Sequence, residues 1–140
     1  MATYDPKEIL ASYGPIILGD YSDGTFVNIT QDIEDYRTER GCDGQVDFVK
    51  NTGITFTIEI SISQTSQVNA LLSASRILDV TGNIGALPFL IKDNGPNGST
   101  LIFLPRARIM APPKLTYGSS TAPRVWTFKG ISGEQFTGGN

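Results

Sequence analysis

The 140-residue chain has no histidine, one cysteine and one tryptophan. Without histidine, the usual general base and the commonest metal ligand at neutral pH are both missing. A lone thiol, Cys42, excludes an internal disulfide and a multi-cysteine metal site. It sits in an acidic turn without the basic surroundings that lower a thiol pKa, and reads as a passive small side chain. No apolar run approaches the ~20 residues needed to span a bilayer. The first residues, Met1-Ala2-Thr3-Tyr4-Asp5-Pro6, lack the basic-then-apolar order of a signal peptide, so synthesis in a cytoplasm is expected. No Lys-Ser/Thr or helix pattern follows Gly95-x-x-Gly98, so it is not a phosphate loop. Asp32, Glu34 and Asp35 are three acids in four residues, but the glycine of a calcium loop is absent from their spacing. The expectation is a non-enzymatic chain with no metal and no cofactor.

Charge is sparse and uneven. The net charge is -3, from 11 basic and 14 acidic residues. Residues 1–99 hold 13 acids and 6 bases, whereas residues 100–140 hold Arg106, Arg108, Lys114, Arg124 and Lys129 against Glu134 alone. An overall acidic balance speaks against nucleic-acid binding, which needs a concentrated basic face. The asymmetry is either solvated surface or a fit for head-to-tail self-association, acidic patch to basic patch.

What is present is strand. Ile54, Phe56, Ile58, Ile60 and Ile62 alternate with Thr55, Thr57, Glu59, Ser61 and Ser63, a period of two that predicts a long strand with one buried face. A helix over residues 67–79 follows, capped by Ser66, with Val68, Leu71, Leu72 and Leu78 on the side that packs against the isoleucines. Gly82 stands just past that helix, where a left-handed cap is common. Shorter strands are expected at 15–18, 26–31, 36–40, 45–50, 87–92, 100–104 and 106–110, and 114–118 and 124–129 are candidates to close the sheet. Asp-Gly at 43–44 marks a hairpin tip. With 15 glycines and 8 prolines supplying turns, the fold class is mainly β: an antiparallel sandwich or open barrel with one packed helix, in a single domain over 1–140. Segments 1–9 and 132–140 are candidate mobile arms that clasp neighbours. Trp126, alternating with Val125 and Thr127, reads as a core anchor.

The segment 32–47 holds six acids (Asp32, Glu34, Asp35, Glu39, Asp43, Asp47) against Arg37 and Arg40. That is too acidic for a core element. It is either a solvated hairpin or an arm that meets Arg106, Arg108, Lys114, Arg124 or Lys129 on another copy.

An ordered set of short motifs resembles the tail tube proteins of contractile-tailed bacteriophages. The set comprises Tyr4-Asp5-Pro6-Lys7-Glu8-Ile9; Ile17-Leu18-Gly19 with Gly24-Thr25-Phe26; and Gly41-Cys42-Asp43-Gly44-Gln45-Val46. It continues with Gln64-Thr65-Ser66, Asn69 and Leu72-Ser73; Phe89-Leu90-Ile91-Lys92-Asp93; Ala111-Pro112-Pro113 with Tyr117-Gly118; and Arg124-Val125-Trp126-Thr127. Gln45, where the family more often has an acid, and the Gly-rich end after Ile131 depart from its pattern.

The resemblance implies a virion subunit, made in the host bacterial cytoplasm, that forms hexameric rings stacked into a hollow tube. Its partners would be further copies of itself, the tail sheath outside, baseplate and terminator proteins at the ends, and tape measure protein and then genomic DNA in the lumen without specific binding. Under that reading Thr55, Thr57, Glu59, Ser61 and Ser63 face the lumen and repel phosphate. Sequence equally allows this face to point toward the sheath. A tube subunit of a related contractile injection or secretion system, which fires effectors where phages eject DNA, shares the resemblance. A monomeric β-sandwich binding module is the other alternative, with Tyr13, Tyr21, Tyr36 and Tyr117 as candidate exposed aromatics.

Overall fold

The computed structural model describes residues 4–19, 21, 24–82, 86–94, 100–131 and 133–138. Ten strands and one α-helix follow the chain as β1 (Ile9–Tyr13), β2 (Ile16–Leu18), β3 (Val27–Gln31), β4 (Tyr36–Arg40), β5 (Val46–Lys50), β6 (Thr55–Ile62), α1 (Val68–Gly82), β7 (Leu87–Asp93), β8 (Leu101–Ala111), β9 (Arg124–Ile131) and β10 (Glu134–Phe136). A short 3-10 turn over Pro6–Glu8, capped by Asp5, precedes β1. The fold is therefore mainly β with one helix, as the alternation requires.

Eight strands make one sheet in the order β2-β1-β7-β8-β9-β6-β3, with β10 paired to β8 beyond the end of β9. Every pairing is antiparallel. The sheet curls until its edges approach: Tyr21, just after the edge strand β2, bridges to Ile62 of β6, the neighbour of the other edge strand β3. The result is an open barrel whose inner face is a single core. Phe56, Ile58, Ile60 and Ile62 from β6 meet Tyr13, Phe89, Leu104, Trp126 and Phe128 there. Tyr13, Phe89 and Phe128 form an aromatic triangle with ring centroids 4.8–6.0 Å apart, the tilted arrangement that the ring quadrupoles favour. Ile54 precedes β6 and packs half-buried against this cluster.

The helix differs from expectation. It runs three residues beyond Asp79, so Gly82 lies inside it and the Gly82 cap is not formed there. Leu72 is its one fully buried side chain, and Val68 packs half-buried beside it. Leu71 and Leu78 are each 53% exposed and do not join the helix–sheet core. The reason is angular: positions 68, 72, 75 and 79 form one stripe at helical spacing, and 71 and 78 lie about a quarter-turn away from it. An apolar helix with few charges leaves its inward stripe undecided by sequence.

Three other elements also depart from the sequence reading. Ile9 begins a paired strand, β1, rather than ending an arm. Segment 114–118 forms no strand. Residues 134–136 pair with β8 and so extend the sheet. The segments 100–104 and 106–110, read as extended in succession, do run on as one strand, which passes through Pro105 with a bulge where Leu87 faces Ala107 and Phe89 faces Leu104. Gly95-x-x-Gly98, set aside above as a phosphate loop, lies outside the described residues.

Candidate surface sites

Two surfaces carry the polar residues that the sequence singled out. The first is the solvent face of β6. Thr55, Thr57, Glu59 and Ser61 stand there, opposite the buried isoleucines. Ser63 does not belong to the strand. It lies in the turn to α1, its hydroxyl 3.4 Å from that of Thr65, and its carbonyl accepts from Asn69 Nδ2 at 2.9 Å. Asn69 also takes the Trp126 Nε1–H on its Oδ1 at 2.9 Å, tying the helix start to the core of β9. Ser66 Oγ accepts from the Val68 amide at 3.2 Å, the capping role its position implies.

Asp32 is brought to this face rather than to the hairpin. Thr55 and Thr57 hydroxyls donate to its two carboxylate oxygens at 2.6 Å each, and Lys129 Nζ lies 3.6 Å away. The two hydroxyl hydrogen bonds, with the lysine charge adding to them, hold the Asp32 carboxyl below its usual value of 3.8. Cross-strand register explains the meeting: Thr57 faces Thr30 on β3 and Lys129 on β9, and Asp32 directly follows β3. A candidate lumen residue, an acid of the expected arm and a base of its expected partner surface therefore form one intrachain cluster.

The second surface is the hairpin β4–β5, a two-stranded sheet of its own. It is built as expected around Gly41–Gly44: Gly44 adopts φ +86°, which needs no Cβ, and its amide donates to the Gly41 carbonyl at 3.0 Å. Cys42 is exposed at this tip. Asn51 fastens the base, donating from Nδ2 to the Glu34 carbonyl at 2.7 Å and from its amide to the Asp35 carbonyl at 2.8 Å. Register gives the hairpin two unlike faces. Arg37, Glu39, Asp47 and Val49 share one, with Arg37 and Glu39 3.1 Å apart. Tyr36, Thr38, Arg40, Val46, Phe48 and Lys50 share the other. The acids and the exposed apolar side chains of the hairpin thus point in opposite directions, a separation that the acid count alone conceals.

The five bases do not make one surface. Arg124 is 4% exposed: its guanidinium donates to the Ala122 carbonyl at 3.1 Å and the Thr116 carbonyl at 3.4 Å, and lies 5.1 Å over the Tyr117 ring. It is a strut for the loop after β8, not a contact for another copy. Arg108 and Lys129 face each other across β8 and β9, an unfavourable cationic pair that Asp79, 3.4 Å from Arg108, and Asp32 offset. Arg106 lies on the same strand as Arg108, and Lys114 lies in the loop beyond β8.

Of the four tyrosines considered for a binding module, Tyr13 is buried and donates to the Ala107 carbonyl at 3.1 Å. Tyr21 stacks on Phe26 at 4.6 Å. Tyr36 and Tyr117 are exposed but belong to separate elements, so no aromatic platform forms among the described residues. No cluster of His, Cys, Asp and Glu able to hold a metal ion occurs among the described residues, and no described helix is long and apolar enough to cross a membrane.

No protein-family model and no curated protein matches this chain. Solved structures do. A chain of the tube-terminating cap of the anti-feeding prophage superposes with TM-score 0.59 at 10% identity, covering 98% of this chain and 93% of that one. A chain of the sheath–tube complex of PVC, an extracellular contractile injection system in its extended state, gives 0.57 at 12% identity over 96% and 92%. A chain of the virion of a native gene transfer agent particle gives 0.59 at 9% identity over 98% and 100%. At such low identity the likeness is one of fold, and it spans essentially the whole chain: chains of a tube-terminating cap, a sheath–tube complex and a gene transfer agent virion share this fold.

Proposed function

We propose that the chain is the repeating subunit of a phage tail tube, assembling into stacked hexameric rings around a conduit for DNA. The observation that carries this reading is the full-length fold likeness to chains of a sheath–tube complex, a tube cap and a gene transfer agent virion. The surface chemistry supports it. The solvent face of β6 offers Thr55, Thr57, Glu59 and Ser61, with Lys129 neutralised by Asp32. In the lumen such a face would present hydroxyls and acid to phosphate and would not trap a passing polyanion. The exposed hairpin provides an arm, its acidic face (Glu39, Asp47) and tip (Asp43) directed at Arg106 and Lys114 of a copy in the next ring. Glu34 and Asp35 stand at its base. Sheath, baseplate, terminator and tape measure proteins are the corresponding partners, and the virion is the site of action.

Negative-stain electron microscopy of the purified protein over a concentration series, with and without a tail initiator complex, tests this. Rings or hollow tubes are expected; persistent monomers with the initiator present refute it. Glu59→Lys should still form tubes while slowing or blocking DNA ejection, and normal ejection removes Glu59 from the lumen. The likeness to the PVC complex favours one second reading, a tube subunit of an extracellular contractile injection system. The cargo recovered from intact particles separates the two.

A further inference from the structure

The solvent face of the main sheet changes character along β8, from Leu101 and Phe103 at its start to Arg106 and Arg108 further on. Around Arg106 and Arg108 it is polar and continues so over Lys129 and Thr127 of β9 and the solvent face of β6, with Val125 and Ile131 of β9 as its half-exposed apolar members. At the start of β8, Leu101 and Phe103 stand beside Phe136 of β10, which pairs on the edge that β9 occupies further along, and Leu10 of β1 lies in the same cross-strand row two strands away on the β7 side. These four side chains are between 37% and 62% exposed. With Pro105, Glu134 and Gln135, the β8 and β10 residues line an open groove of about 410 Å³, enough for an aromatic side chain. Glu134 lies directly across from Phe103 at its rim. It is the one acid in the last 41 residues.

The hairpin carries the complementary features. On its non-acidic face Phe48 is 77% exposed, Tyr36 57% and Val46 50%. Phe48 sits opposite Thr38 at the centre, with Lys50 two residues along its own strand and Arg40 diagonally across. A two-stranded sheet with both faces in water is marginal alone, and this one is held ready by the Asn51 clamp at its base. Neither surface is covered by its own chain, as their exposures show. Two complementary patches at different places on one molecule make a heterologous contact, which propagates into a ring or filament rather than closing a dimer.

We infer that the apolar face of the hairpin of one copy seats in the groove of Leu101, Phe103 and Phe136 on a second copy, with Phe48 as anchor and Lys50 or Arg40 paired to Glu134. Strand geometry permits both at once: residues two apart on one face are separated by ~7 Å, and Glu134 is itself part of the groove lining beside Phe103. The inference rests on the self-assembly reading above and specifies a contact that the acidic face of the hairpin does not make. Because Phe48 touches little of its own chain, replacing it leaves the monomer fold intact.

The test places a photo-crosslinking phenylalanine analogue at position 48 of the full chain, in a mixture of isotopically light and heavy protein. The mixture is irradiated at assembly concentration, and the same sample is inspected by electron microscopy. Cross-links between light and heavy chains from position 48 to peptides 101–105 or 134–136 are expected. Assemblies with cross-links to other segments overturn this contact while leaving self-assembly standing. Absence of any assembly with a tail initiator complex added overturns both. As a second arm, Glu134→Lys should raise the critical concentration for assembly at least tenfold, and Arg40→Glu with Lys50→Glu in the same chain should recover most of that. Failure of recovery with assembly otherwise intact removes the charge pairing.

Discussion

Gly130→Ala is the most direct probe of how β8 packs on β9. Gly130 is buried on β9, and a Cβ placed there would stand 2.5 Å from Leu104 Cδ1, 2.9 Å from its Cβ and 3.0 Å from its Cγ. Rotating the leucine moves Cδ1 away but leaves its Cβ where the backbone of β8 holds it. Leu104 is wholly buried, so displaced atoms have no free volume to enter. Overpacking of this kind costs about 1–3 kcal/mol, which for a domain of this size lowers the melting temperature by roughly 3–5 °C per kcal/mol. Leu104→Ala alone leaves a cavity and costs about 2–5 kcal/mol. In the double variant the new methyl enters the space the leucine vacates, so the two losses should fall short of their sum by about 1–3 kcal/mol. Thermal and urea unfolding followed by circular dichroism, at concentrations below assembly, gives all four corners of the cycle. A Gly130→Ala protein as stable as the parent, or strictly additive losses, refutes the close packing of β8 on β9.

Three further outcomes are expected. Asp32→Asn weakens two charge-assisted hydrogen bonds and an ion pair at a partly exposed site, and should cost about 1–2 kcal/mol at pH 7. Because the folded carboxyl titrates below its unfolded value, that contribution is present above about 3.8 and is lost as pH falls through the lower folded value. The parent and variant stability curves should therefore converge in acid, and a constant gap down to pH 2 would exclude Asp32 as the cause. Asn69→Leu strips the partner from a buried indole N–H and loosens the helix start, a loss of about 1–3 kcal/mol; unchanged urea unfolding would show that the indole finds another acceptor. Asp43→Lys with Asp47→Lys should abolish polymerisation while leaving the monomer melting curve in place, and assembly at the parent concentration would remove the acidic face of the hairpin from the ring-to-ring contact.

The strand content, the long β6 with its buried isoleucines, the hairpin with its Asp-Gly tip and the core tryptophan are all legible in sequence. Each follows from short-range alternation or turn chemistry, which depends on neighbours in the chain. The inward stripe of α1 is not. Leu71 and Leu78 are as apolar as Leu72, and only the core on which the helix docks selects which one enters. Strand β1 also escapes the alternation test: Ile9–Tyr13 has none, and its ladders come from β2, through a tight hairpin on one edge, and from β7, some eighty residues away, on the other. A tool for spotting Gln135 and Phe136 as sheet residues would likewise need β8 in view, since three residues gain a ladder only from the strand beside them.

Charge shows the same division most clearly. The sequence by itself determined the numbers: no histidine, an acidic first hundred residues, a basic remainder and a cluster of six acids over 32–47. Tertiary structure alone decided what those charges do. It buried Arg124 under carbonyls, set Asp32 on two threonines and Lys129, gave Arg108 to Asp79, and turned the acids of the hairpin away from its phenylalanine. Alternation is a property of adjacent residues, so sequence carries it. Ion pairing and the composition of a face depend on which distant strands share a register, and that is settled when the sheet closes around its core.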